Sequence, residues 1–92
     1  MYAALIKVKI DSQFAPQAAA IFTEKIVPSV KNLSGFVAGY WIDPVDEEGL
    51  GFLLFENADN AKSVTLPSFD WSAPGVIIKQ VDIRRVAFQF PS

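Results

Sequence analysis

The sequence predicts an α+β domain with element order strand, helix, strand, strand, helix, strand, and three observations lead there. Residues 2–10 alternate strictly, with Tyr2, Ala4, Ile6, Val8 and Ile10 on one face and Lys7 and Lys9 on the other, which is the period of a strand. Between about Gln13 and Leu33 the period lengthens, and Phe14, Ala18, Ile21, Phe22, Ile26, Val30 and Leu33 form a helical stripe opposed by Gln17, Glu24 and Lys31. Two short apolar runs, "FVAGYWID" at 36–43 and "LGFLLFE" at 50–56, are then joined by "PVDEEG", too short for a crossover helix, so they form an antiparallel hairpin.

The first helix has Ser12 placed to cap it and Pro16 in its first turn, where a missing N–H costs nothing. Pro28 removes a donor inside the span, which predicts a kink there or a helix ending near Val27. Ser34-Gly35 ends the element. Asn57 can cap a short helix over 58–66 that Pro67 closes, and residues 67–75, "PSFDWSAPG", form a loop carrying two aromatics. The last strand runs from Val76 to about Phe90. Its apolar parity slips between Val81 and Ile83 on one side and Val86, Phe88 and Phe90 on the other, which predicts a β-bulge or a change of partner at Arg84-Arg85. This order is the ferredoxin-like βαββαβ arrangement, a four-stranded antiparallel sheet with both helices on one face. With 92 residues and no repeat or linker, residues 1–92 read as one domain.

An antiparallel sheet with one open face should alternate apolar and polar residues. The hairpin does not. Phe36, Ala38, Tyr40 and Ile42 share one parity and Val37 and Trp41 the other, while Leu50, Phe52 and Leu54 oppose Leu53 and Phe55. Taking Val37, Trp41, Leu53 and Phe55 as the face away from the helices, exposing them would forgo roughly 1.5–3 kcal/mol per large side chain. A second copy applying its own open face would bury both, and two-fold closure is the commonest way to do so. The expectation is a homodimer, broken by Leu53→Glu. A hydrophobic content of 51% with eight Phe fits a chain that buries area between subunits.

Composition limits the chemistry. A net charge of −2 gives no basic footprint for nucleic acid or an anionic membrane, and no apolar run approaches the roughly 20 residues that span a bilayer. The opening "MYAALIKVKI" has neither the basic start nor the long apolar core of a signal sequence, so the expected location is cytoplasmic. The absence of His and Cys removes serine–histidine catalysis, thiol chemistry and the usual zinc sites. Asp43, Asp46, Glu47 and Glu48 do not have the spacing of a calcium loop and read as a solvated turn, so no metal is expected. Four aromatics, Tyr40, Trp41, Phe69 and Trp71, combine apolar area with polar handles suited to an aromatic ligand, and Arg85 or Arg84 could hold an anionic one. Neighbours on a strand point to opposite faces, so only one of Tyr40 and Trp41 enters the space under the helices. Trp71 lies in a loop long enough to fold over the mouth of such a space.

With its helix ending in "KIVPSVKNLSGF", its hairpin and the short helix after it, the chain resembles the dimeric α+β barrel proteins, the antibiotic biosynthesis monooxygenase-like group. The resemblance implies a homodimer whose two sheets form a barrel, with a pocket between each sheet and its own helices. Some members oxidise polycyclic aromatics without a cofactor, and others open haem with an Asn, Trp and His set. This chain has no His and no Asn in its first strand, so the resemblance points to cofactor-independent monooxygenase-like chemistry on an apolar or aromatic metabolite, the alternative being a non-catalytic ligand-binding or stress-response dimer. In the first case Tyr40, Trp71 or an Arg would stabilise a substrate anion. Architecture alone does not choose between them.

Overall fold

The computed structural model describes residues 1–91. Four strands, β1 (Tyr2–Ile10), β2 (Phe36–Val45), β3 (Glu48–Phe55) and β4 (Val76–Arg85), form one antiparallel sheet in the order β2-β3-β1-β4. Between β1 and β2 the chain turns through a 3-10 turn (Ser12–Phe14), helix α1 (Ala15–Ile21), a π-helical stretch (Phe22–Ile26) and helix α2 (Val27–Lys31). Helix α3 (Ala58–Lys62) and a 3-10 turn (Ser63–Thr65) follow β3. The expected α+β arrangement of a four-stranded antiparallel sheet with its helices on one face is the one observed.

The core lies between that face and the helices. Ala4, Ile6, Val8 and Ile10 of β1 and Leu53 and Phe55 of β3 are buried against Ala18, Phe22, Ile26, Val30, Ala61 and Val64. The hairpin parity is therefore the reverse of the expectation: Trp41, Leu53 and Phe55 face the helices, and Leu53, 6% exposed, is core. Leu53→Glu would put an unpaired charge into that core and unfold the chain rather than separate subunits. The open face instead carries Leu5, Tyr40, Ile42, Leu50 and Phe52, joined by the cross-strand pairs Leu5–Phe52, Tyr40–Phe52 and Ile42–Leu50. Parity could not tell these faces apart because both are apolar, and the register of β2 shifts between Phe36 and Ala38, leaving Val37 half exposed at the irregularity.

Four further expectations are corrected. The bulge in β4 falls at Lys79, where the register with β1 passes from Lys7–Gln80 to Val8–Ile78, so Val76 and Ile78 and then Val81 and Ile83 all pack on the core. The strand ends at Arg85, before the parity slip read from Val86, Phe88 and Phe90. Pro28 neither ends nor interrupts the helix. The preceding π-helical stretch carries the chain into α2 with Pro28 in its first turn, and α2 continues to Lys31. The cap of the first turn is Asp11, whose carboxylate accepts from Gln13 N–H, in place of Ser12.

The β2–β3 connection is also tighter than six residues. Val45 pairs with Glu48, and Asp46 and Glu47 make a two-residue turn with φ of 51° and 65°. Both central residues of such a turn are left-handed, a geometry that suits the right-handed twist of a hairpin. Non-glycine residues adopt it at a cost, which bonds from Glu47 offset: its carbonyl accepts from Ile10 N–H and its carboxylate from Ser12 N–H, each at 2.8 Å. Asn57 caps α3 as expected, accepting from Asn60 N–H at 2.9 Å.

Candidate functional site

Edge strand β2 meets the helices across a gap rather than a packed seam. Small residues on one side, Ala15, Ala18 and Ala19, leave room that larger side chains would fill, and Trp41 rises from the sheet on the other. Trp41 can lie flat there because its cross-strand partner is Gly51. A Cβ on Gly51 would come within 2.3 Å of the indole, so only glycine permits the close approach. The indole packs on Phe22, with ring centroids 4.5 Å apart and planes tilted by 35°.

Around this pair runs a groove of about 400 Å³, lined by Ile10, the three alanines, Phe22, Thr23, Ile26, Val27, Trp41, Asp43 and Pro44. Val27 and Trp41 also border a second hollow of about 260 Å³ against α2, where Lys31 and Phe36 contribute. Asp43 lines the larger groove and Lys31 the smaller hollow. Thr23 is not free to act on a ligand as a donor, because its hydroxyl donates to the carbonyl of Ala19. That leaves Asp43 as the ionisable side chain of the larger groove among the described residues.

The candidate aromatics are dispersed. Trp41 lines the larger groove, whereas Tyr40 lies 6.4 Å from Phe52 on the open face and borders the smaller hollow but not the larger groove. Phe69 and Trp71 stack on each other at 4.6 Å and pack against the core. Trp71 Nε1–H donates to the carbonyl of Val64 at 2.9 Å, which ties the loop down beside α3 instead of freeing it to cover the groove. Arg85 closes β4 opposite Tyr2 and borders neither groove. The residues that sequence reasoning did not single out are Phe22 and the alanines around it. Their signal was the run Ala18-Ala19-Ala20, which places small side chains beside a large aromatic on a helix facing a sheet.

The 67–75 loop is held from outside as well. Lys25 Nζ pairs with Asp70 at 2.7 Å, and Ser72 N–H donates to the other carboxylate oxygen at 2.8 Å. The bond from Lys25, followed by those from Ser72, holds the Asp70 carboxyl well below the usual carboxylate range.

Among the described residues no group of three or more His, Cys, Asp or Glu is placed to hold a metal, and no helix is long and apolar enough to cross a membrane. No family model matches the sequence, and no curated protein matches it. Its fold is shared with MhuD, in a crystal structure of an arginine-to-serine mutant with two manganese protoporphyrin IX molecules bound per active site. The TM-score is 0.71 and all of both chains is covered, at 12% identity.

Proposed function

We propose that the fold this chain shares with MhuD is of the antibiotic biosynthesis monooxygenase-like kind that its sequence resembles. We propose that the protein is a homodimer that binds a flat apolar or aromatic small molecule in the helix-side groove and oxidises it with molecular oxygen. The observation that carries this reading is the Phe22–Trp41 pair beside an unfilled groove of about 400 Å³, a volume suited to a ligand of two or three fused rings. That a structural neighbour binds a planar macrocycle supports the same class of ligand. Here the groove offers one carboxylate and no cation, so it favours a neutral molecule over a dianionic one. In the reaction, a ligand CH2 made acidic by a neighbouring carbonyl would become C=O, one oxygen atom entering the ligand and the other leaving as water with the two hydrogens of that CH2, and Asp43 is placed to accept the first proton lost.

Trp71→Phe leaves Trp41 as the sole indole and a reporter of the groove. Titrating that variant with Nile red, a neutral planar probe, should give saturable quenching, and Ala19→Phe, which fills the groove from an exposed position, should abolish it. Quenching that is unchanged in Ala19→Phe would place the ligand elsewhere. Oxygen uptake with an anthrone, lost in Asp43→Asn, tests the chemistry separately. A second reading, binding without turnover, is favoured by Thr23 being bonded to its own helix and by Trp71 and Arg85 standing outside the groove. Saturable binding with no oxygen uptake would select it.

A further inference from the structure

Two hollows flank Trp41, and they differ in charge. The larger groove carries Asp43, whereas the smaller one, of about 260 Å³, carries Lys31 as its only charged side chain among the described residues. Buried Val30 and Leu53 and half-buried Phe36 and Trp41 make the rest of its lining apolar, and exposed Val27 and Tyr40 leave it open to solvent. Gly39 contributes backbone alone. A Cβ there would stand 3.0 Å from Leu53 and 3.3 Å from Phe36, so glycine keeps that part of the space clear.

Nothing in the chain neutralises that lysine. The one ion pair among the described residues joins Lys25 to Asp70, and the positions a turn away from Lys31 are Val27, Pro28, Ser34 and Gly35, none of them a carboxylate. The carbonyls at the end of α2 are taken as well: Pro28 accepts from Asn32 N–H at 3.2 Å, and Val30 from Leu33 N–H at 3.0 Å. Lys7 and Lys9 also border hollows, but each shares its own with an acid, Asp82 and Asp11 respectively. The Lys31 hollow holds no acid, and in a chain of net charge −2 it is a local reversal of sign.

We propose that this hollow is a second ligand site, selective for a small aromatic monocarboxylate whose ring enters beside Trp41 and whose carboxylate pairs with Lys31. A cavity of about 150 Å³ accepts benzene, so the hollow takes one ring and a chain of two or three carbons. The lysine stem packs along apolar surface while its ammonium stays at the solvent side, where it meets the carboxylate in a charge-assisted hydrogen bond without stripping either ion of all its water. A neutral amide of the same shape forgoes that bond. A second carboxylate would have to face apolar walls, at a cost that excludes dianions. The site differs from the larger groove in charge and size, and it does not depend on oxidation there.

The test titrates the full chain carrying Trp71→Phe, in which Trp41 is the sole indole and walls the hollow, with 3-phenylpropionate and with 3-phenylpropanamide. The acid should change Trp41 fluorescence saturably and bind about tenfold more tightly than the amide. Lys31→Met, which keeps an apolar stem without the charge, should erase that preference and leave the affinity for the amide unchanged, and Lys31→Arg should restore it. Ala19→Phe fills the larger groove alone, so acid binding should survive in that variant. No saturable response to the acid, equal affinity for acid and amide, or a preference that persists in Lys31→Met would overturn the site. Loss of acid binding in Ala19→Phe would overturn it too, by moving the acid to the larger groove. Lys31-dependent acid binding in a chain that takes up no Nile red would support this site and reject the reading of the larger groove.

Discussion

The two faces of the sheet are nearly equal in apolar content and opposite in fate. On the helix side Ile6, Val8 and Phe55 are at most 1% exposed. On the other side Tyr40 and Ile42 of β2 and Leu50 of β3 are about half exposed. The difference does not lie in residue type but in what the chain has available to cover each face. One long helical segment and one short one cover a single side of the four strands, and among the described residues no helix covers the second. Hydrophobicity therefore reports that a face is to be buried, and topology decides whether the chain can do it alone.

Four substitutions sharpen that comparison. The largest effect belongs to the sealed face: Phe55→Ala should cost about 3–5 kcal/mol in urea unfolding, a large share of the roughly 5–15 kcal/mol of a small domain. Phe52→Glu, three residues earlier and on the open face, should spare the fold of each protomer and raise the dimer dissociation constant by at least about 100-fold in analytical ultracentrifugation. Should the two variants unfold alike, the contrast between the faces would be lost. Gly51→Ala acts between them, at the groove. Its methyl group must displace the Trp41 indole, at about 1–3 kcal/mol, with a shift in Trp41 fluorescence and weaker Nile red binding.

The smallest effect is electrostatic. Asp70 has a depressed carboxyl pKa because it bonds Lys25 and Ser72, so its folded form binds a proton less readily than its unfolded form. Its contribution is thus complete above the ordinary carboxylate range and is lost as pH falls below it. Because the pair is exposed, Asp70→Asn should move the urea midpoint at pH 7 only slightly, and salt should erase the difference.

Element order and the apolar character of both sheet faces were legible in the sequence because periodicity and the absence of alternation are local. Which parity faced the helices was not. That depends on the β2 irregularity at Val37 and on the Lys79 bulge, each a single extra residue whose position is set by pairing with a strand distant in sequence. The site was half legible. Trp41 could be named, but its setting depended on Gly51, its partner across the hairpin, and on alanines that attract notice only once they face a large ring. Trp71 drew attention as an aromatic in a loop, and a hydrogen bond to Val64 that no spacing reveals fixes it in place.

The π-helical stretch at Phe22–Ile26 has a meaning in the currency of genes. It accommodates one residue more than an α-helix needs to cover the same rise, so loss of a single codon there, such as that for Thr23, would leave a continuous α-helix that lacks only the donor missing at Pro28. Everything after it would keep its face, because Ala18 and Val30 would then stand eleven residues apart, within about 20° of each other around a straight α-helix. The surplus residue is thus one the core does not need: at exposed Thr23 and Glu24 both substitutions and the loss of one codon should be tolerated over evolutionary time, whereas a second loss would turn Val30 off the sheet.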